Sequence, residues 1–303
     1  MTELISNDAI ERRCYWIDEI VKLSGHFGDD SSRVEKELES EVKHVGGQAI
    51  LDHLRLCGAI PESYRHDTSE EKLYSKYTDA LLAVAYRFIG LKSYVLTERA
   101  DAADVEVVSN EFSFVADAKV FRLSRTAKNQ KDFKIAAMND WKRGKPFAMV
   151  VCPLYQLPTR SSQIYHQAGS LNVCIFSYSH LATIVSLVMQ EGEKAGSALL
   201  LKIFNAVEAM NPSKDATDYW REINRTMLDF GKSSAKIWQK EKAANLESIQ
   251  ISKKLALTFL AQERERIMKL THDEALQALI DMQKLDSRTK VISAVSDNGL
   301  MLL

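Results

Sequence analysis

The segment that most constrains this chain is FSFVADAKVF, residues 112–121. Side chains of a β-strand point alternately to its two faces. Alternate residues from Phe112 to Val120 are all apolar, whereas the other face carries Asp117 and Lys119. We therefore expect one face to pack into a core, while Asp117 and Lys119 project side by side from the opposite surface.

The surrounding pattern alternates strands with helices. The strand-like DVEVVS, residues 104–109, precedes this segment, and Asn110-Glu111 between them fits a short hairpin. A helical stretch, TAKNQKDFKIAAMNDW, follows. The strand PFAMVVC, a short helix near SSQIYHQAG, the strand LNVCIFS and the helix SHLATIVSLVMQEG come next. This order predicts an α/β fold with a mixed central sheet flanked by helices.

The two ends of the chain are helical in pattern. In NDAIERRCYWIDEIVKLSG, Ile10, Cys14, Ile17 and Val21 have helical spacing and predict an apolar face. The segment TSEEKLYSKYTDALLAVAYRFIG predicts a long helix, with Thr68 or Ser69 as N-cap and Gly90 just past its end. Beyond residue 197 the pattern is again helical, and Thr271-x-x-Glu274 forms a capping box.

Several protein classes are excluded by the composition. No apolar run approaches the ~20 residues that cross a bilayer, and the N-terminus lacks the pattern of a signal peptide. The four cysteines and seven histidines are scattered, so we expect free thiols, no zinc site and a reduced, cytoplasmic protein.

Positive charge is concentrated in one region, although the net charge is only −1. Between Lys119 and Lys145 there are nine cations and two acidic residues. Such asymmetry indicates an anionic partner at one surface, although a basic run is also typical of a solvated helix face.

Asp104, Asp117 and Lys119 are the candidate catalytic residues. If the strands at 104–109 and 112–121 pair, Asp104 approaches Asp117. Mg²⁺ prefers oxygen ligands and needs only one or two protein carboxylates. A neighbouring ammonium can hold or help deprotonate a water and stabilise an oxyanion. The alternative is a surface ion pair at a strand edge.

Aspartate followed about a dozen residues later by Asp-x-Lys resembles the PD-(D/E)xK nuclease superfamily, although Ala103 replaces the proline of that name. Longer strings, in VADAKVFRLSRTAKNQKDFK, EKLYSKYTDALLA and PTRSSQI, closely resemble the HindIII-type type II restriction endonucleases. The resemblance covers residues 60–185. It implies a homodimeric, Mg²⁺-dependent enzyme that cuts double-stranded DNA at the palindrome AAGCTT after the first A.

The resemblance also assigns residues to roles. It implies that Asp104 and Asp117 are the metal-binding acids, that Lys119 is the catalytic lysine, and that Glu71 is a further active-site acid. Glu71 has a second interpretation, as part of a capping box with Thr68. The basic tract after the strand is expected to contact DNA, with Asn129 or Gln130 pairing with adenine and Arg122 or Arg125 with guanine. The predicted DNA-binding residues are Arg122, Ser124, Arg125, Thr126, Lys128, Asn129, Gln130 and Lys131.

Two other functions remain open from sequence: a DNA-binding protein without catalysis, and a structure-selective repair nuclease of the same superfamily. We expect one restriction-endonuclease domain over 1–303 with a catalytic core at 60–185. The helical regions 1–60 and 190–303 are expected to serve dimerisation and to clasp DNA, because a palindrome favours a two-fold protein.

Overall fold

The computed structural model describes residues 4–96, 102–125 and 130–294. The chain divides after Lys254 into two compact units. The first unit contains the sheet and most of the helices, and the second begins inside a long helix. Within the described ranges, no helix combines the length and apolar character needed to span a membrane.

The core of the first unit is a mixed five-stranded sheet, as the alternation of strands and helices predicts. Its order is β2-β3-β4-β6-β7. Strands β2, β3 and β4 are antiparallel, whereas β4, β6 and β7 are parallel. The strands are β2 (Lys92–Val95), β3 (Val105–Val108), β4 (Ser113–Ala118), β6 (Phe147–Cys152) and β7 (Val173–Ser177).

Two short strands form a separate parallel ladder. They are β1 (Ala59–Ile60) and β5 (Phe121–Arg122). The predicted single strand at 112–121 is therefore too long, because β4 ends at Ala118 and the next strand begins at Phe121, which donates its N–H to Gly58 O at 3.4 Å. The pairing of β5 with β1 places the start of the basic tract beside β1.

The parallel strands β6 and β7 lie in the interior of the first unit. Every residue of β6 and β7 is buried, because helices cover both faces of such a sheet and the strands are apolar on both sides. Cys152 and Cys174 lie in these strands as buried free thiols.

Three N-terminal helices precede the sheet: α1 (Asn7–Ile20), α2 (Phe27–Val45) and α3 (Gly47–Leu56). The predicted apolar face of α1 is displaced by one residue. Its buried residues are Ala9, Arg13, Trp16 and Ile20. Arg13 can be buried because its guanidinium donates to Tyr74 Oη and Ala59 O at 2.7 and 2.6 Å.

Helix α4 (Ser69–Phe88) follows β1 and packs against β2, β3 and β4. Thr68 is its N-cap and accepts a hydrogen bond from the N–H of Glu71, as predicted. Gly90 follows the helix with φ +88°, a conformation that glycine adopts without strain. The middle of α4 is almost entirely buried, which fixes the side chains that it presents to the sheet.

Five more helices lie wholly within the first unit: α5 (Ile135–Trp141), α6 (Gln163–Leu171), α7 (Tyr178–Glu191), α8 (Glu193–Glu208) and α9 (Ala216–Asp229). The first four residues of the predicted helical stretch 126–141 lie outside the described residues. From residue 130 the chain has a short 3₁₀ turn, Gln130–Phe133, before α5, and not one continuous helix. The two are separated by Lys134, which has φ +49°.

The last helices are α10 (Lys232–Met268), α11 (His272–Met282) and α12 (Leu285–Ser293). The predicted capping box of Thr271 and Glu274 is present at the start of α11. Neither α11 nor α12 has a buried residue.

Candidate active site

The pairing of β3 with β4 places Asp104 beside Asp117. Val105 is opposite Ala116, so one step further along the same antiparallel register Asp104 lies opposite Asp117. At the other end of the hairpin, Ser109 N donates to Phe112 O at 2.9 Å, which leaves residues 110–111 as the predicted two-residue turn. The expected approach of the two aspartates therefore follows from backbone pairing.

Asp117 is more buried than the alternation of its strand predicts. Only 1% of its side chain is exposed, against 14% for Lys119. β4 is an inner strand with a neighbouring strand on each side, and helices α4 and α5 both contact it. The charges thus lie in a partly enclosed site.

Helix α4 adds two residues that sequence reasoning did not identify, Lys76 and Asp79. Oxygen atoms of Asp79, Asp104 and Asp117 all lie within 4.8 Å of one another. Lys76 Nζ lies 2.7 Å from Asp104 Oδ1 and 3.1 Å from Asp79 Oδ2. The available signal was an aspartate inside the apolar run of a buried helix, since such a charge requires a partner.

The electrostatics of the cluster follow from burial and from the two lysines. Burial and the neighbouring Asp104 raise the pKa of Asp79 well above its ordinary value, against the effect of Lys76. Burial also raises the pKa of Asp117, although Lys119 opposes the shift. For Asp104 the effect of burial is outweighed by Lys76, so its pKa is lowered.

One oxygen of the cluster lacks a partner. Lys119 donates to Asp117 Oδ2, but Asp117 Oδ1 is buried and has no hydrogen-bond partner among the residues that the structure describes. A buried carboxylate oxygen is rarely left in that state. Three carboxylates around such an atom are the oxygen donors that Mg²⁺ and Ca²⁺ prefer, so these residues fit a divalent cation.

The cluster lines a cavity of about 380 Å³. Phe27, Lys72 and Lys119 also border it, and Phe27 is 41% exposed. A larger cavity of about 560 Å³ lies among α1–α4 and contains none of the residues predicted for catalysis. The smaller cavity is therefore the candidate active site.

Glu71 lies outside this cluster. It precedes Asp79 by two turns of α4, about 12 Å along the axis at ~1.5 Å per residue. Its Oε2 accepts from Asp67 N at 2.8 Å, and its Oε1 accepts from Arg122 Nε at 3.1 Å. The structure thus brings together Asp104, Asp117 and Lys119 but pairs Glu71 with Arg122.

The described part of the basic tract makes contacts within the protein. Arg122 also donates to Pro61 O and Arg65 O at 3.2 and 3.0 Å. Ser124 donates its N–H and Oγ–H to Glu62 at 2.9 and 2.8 Å.

Further along the tract, Arg125 pairs with Asp132, and Lys131 is exposed. Gln130 begins the 3₁₀ turn. The predicted contacts of Thr126, Lys128 and Asn129, and of the Gln130 side chain, lie outside the described residues.

Two comparisons with known proteins bear on this site. The family model described as HindIII restriction endonuclease matches residues 14–296. The chain is also similar to the type II restriction enzyme HindIII of Haemophilus influenzae (strain ATCC 51907 / DSM 11121 / KW20 / Rd). The two are 32% identical over 260 residues, which cover 85% of this chain and 87% of that enzyme.

Proposed function

Because the chain belongs to the HindIII restriction endonuclease family, we propose that it cuts double-stranded DNA at the palindrome AAGCTT, after the first A, with Mg²⁺ as its cofactor. Family membership makes it a type II site-specific deoxyribonuclease, which argues against a DNA-binding protein without catalysis and against a structure-selective repair nuclease. The observation that carries the proposal is the convergence of three carboxylates and Lys119 in one open cavity.

Asp104 and Asp117 are the proposed ligands of Mg²⁺, with Asp79 as a third carboxylate. The support is the mutual distance of their oxygens and the unpartnered Oδ1 of Asp117. When bound, Mg²⁺ makes water more acidic and offsets negative charge on a phosphodiester.

Lys119 is the proposed catalytic lysine. It borders the cavity, and its ammonium is oriented by the carboxylate of Asp117. The Lys119 carbonyl accepts from Tyr178 Oη at 3.1 Å, and its N–H donates to Val151 O at 2.7 Å. A lysine whose backbone is held at both ends can position a water at the phosphorus and stabilise the charge that develops there.

Glu71 has a positioning role in this proposal. It holds Arg122, whose guanidinium makes three hydrogen bonds and whose side chain is 14% exposed. This pair fixes the start of the basic tract beside the cavity. In this proposal Arg125 recognises guanine, and Asn129 or Gln130 recognises adenine. The residues that contact phosphates are Ser124, Thr126, Lys128 and Lys131.

The enzyme is proposed to act as a homodimer, because a two-fold protein presents one active site to each strand of a palindrome. The second unit offers the apolar surface that such an assembly needs. Its large exposed apolar residues are Leu257, Leu260, Ile267, Met268, Leu276, Leu279, Ile280, Met282, Leu285, Val291 and Ile292.

The proposal is tested by digesting a fully sequenced plasmid with Mg²⁺ and mapping the new ends. Discrete fragments that all end within AAGCTT support it. Random ends, or cutting only at branched DNA, would contradict it. The Asp117→Asn protein, purified in parallel, serves as the control for contaminating nucleases.

A further inference from the structure

Lys76 contacts two of the three carboxylates of the acidic cluster. Its ammonium bridges Asp79 and Asp104 at 3.1 and 2.7 Å, whereas Lys119 pairs with Asp117. Two lysines, one from α4 and one from the residue that follows β4, thus offset part of the negative charge of the three carboxylates.

The two lysines differ in how freely they can move. The Lys119 backbone is bonded to β6 and to Tyr178, and its side chain is 14% exposed. The Lys76 side chain is 30% exposed and borders the open cavity. Its four-carbon stem can therefore carry the ammonium out of the cluster without a change in the backbone.

A divalent cation cannot share this position with the Lys76 ammonium. Mg²⁺ binds oxygen at about 2.0–2.1 Å, and Lys76 already contacts two of the three carboxylates proposed to bind it, at Asp104 Oδ1 and Asp79 Oδ2. Both cations would then lie at the same carboxylate, with their charges repelling at close range.

We propose that Lys76 is a built-in counter-ion, which pairs with Asp79 and Asp104 until a divalent cation enters and then leaves the cluster. The inference rests on the proposed metal site and adds a competition between the protein's own ammonium and the metal ion. Lys76 lowers the affinity of the DNA-free enzyme for the cation and stabilises the metal-free fold.

The test is a titration of DNA-free protein with Mn²⁺ at pH 8.5. Electron paramagnetic resonance of the unbound ion measures how much Mn²⁺ is bound. Lys76→Met keeps the stem and removes the charge. We expect its Kd for Mn²⁺ to fall by about tenfold or more, since two charge-assisted hydrogen bonds no longer oppose entry of the ion. Lys76→Gln is a second variant if the first folds poorly, with a smaller decrease expected.

Lys72→Met is the matched control. Lys72 borders the same cavity one turn earlier but is exposed to solvent, so its loss should leave the Kd within about twofold of wild type. The metal-free Lys76→Met protein should also unfold at a lower temperature than Lys72→Met and gain more from added Mn²⁺.

The outcomes separate the two proposals. If wild-type protein binds Mn²⁺ and Asp104→Asn does not, the metal site stands. In that case an unchanged or higher Kd for Lys76→Met overturns the role of Lys76 alone. If neither the wild type nor Lys76→Met binds Mn²⁺, the metal site and the counter-ion are both rejected.

Discussion

Arg122 donates from Nε to Oε1 of Glu71 at 3.1 Å, and this ion pair joins β5 to the first turn of α4. Asp79 lies two turns further along the same helix, where it meets Asp104 and Asp117. One helix therefore presents two acids in different settings, one beside the basic tract and one in the cluster.

Substitution of these two acids is expected to give different results. Asp79→Asn should weaken Mn²⁺ binding by at least about tenfold, because it removes a charged oxygen ligand. Glu71→Gln should leave Mn²⁺ binding within about twofold of wild type and lower the melting temperature by a few degrees, as the Arg122 pair weakens. Isothermal titration and thermal unfolding measure both effects, and loss of metal binding in Glu71→Gln would contradict the assignment.

Asp117→Asn is expected to reduce the rate of DNA cleavage by about a thousandfold or more, as for other groups that stabilise charge in a transition state. Binding of an AAGCTT duplex in Ca²⁺ should survive, because phosphate contacts by the basic tract do not require this carboxylate. Single-turnover cleavage and electrophoretic mobility shift measure the two properties. The exposed Asp140→Asn is the control and should cut at the wild-type rate.

Lys119→Met should abolish cleavage while preserving both the fold and DNA binding. Asp117 loses its ammonium partner in this variant, and a buried carboxylate without a partner takes up a proton. The circular dichroism spectrum at a pH near neutral should therefore match that of wild type. No product should form in a single-turnover assay. Cleavage near the wild-type rate would show that Lys119 is not the catalytic lysine.

His180 is expected to make the fold sensitive to acid. The ring stacks on Trp238 and Trp220 at 4.3 and 5.4 Å, and burial lowers its pKa to about 4 despite a hydrogen bond with Asn224. Between pH 6.5 and 4 the unfolded chain binds a proton that the folded chain excludes, so stability falls as pH falls. The loss at pH 5 is about 2 kcal/mol.

Chemical denaturation at pH 7.5 and pH 5 measures this loss. His180→Gln should lose less stability over the same interval, because it has no group that titrates there. The exposed His26→Gln should behave like wild type. An equal pH dependence in wild type and His180→Gln would contradict the prediction.

The dimer is tested by placing charge on the second unit. Leu257 and Leu260 are 62% and 49% exposed, one turn apart on α10. If they are buried between protomers, at about 2 kcal/mol for each leucine, the Leu257→Asp/Leu260→Asp double variant should raise the dimer dissociation constant by at least about a hundredfold. Sedimentation velocity measures it, with the exposed Gln262→Asp as control. A double variant that sediments like wild type would reject this surface.

The sequence predicts those features that local patterns determine. The hairpin, the cap of α4 and the mixed sheet follow from alternation, capping residues and apolar runs, and the approach of Asp104 to Asp117 follows from the hairpin. Asp79 was not predicted, because its carboxylate reaches the cluster only through the packing of α4 on the sheet.

The displaced face of α1 has a related cause. Hydrophobic periodicity places a charged side chain in solvent, but Arg13 is buried because a tyrosine hydroxyl and a backbone carbonyl, both distant in sequence, accept its hydrogen bonds. Partners of this kind are not visible in a local pattern.

The hairpin of β3 and β4 has a consequence for how such chains can diverge. Its turn lies at one end and the two aspartates lie at the other. Insertion or deletion of the same number of residues in both strands would change the number of residues between the two aspartates. The aspartates would still lie opposite each other in the hairpin. A one-residue slip of β4 would instead replace Asp117 with an alanine at the cluster. Strand pairing is thus a better criterion for homologous acids than their separation along the chain.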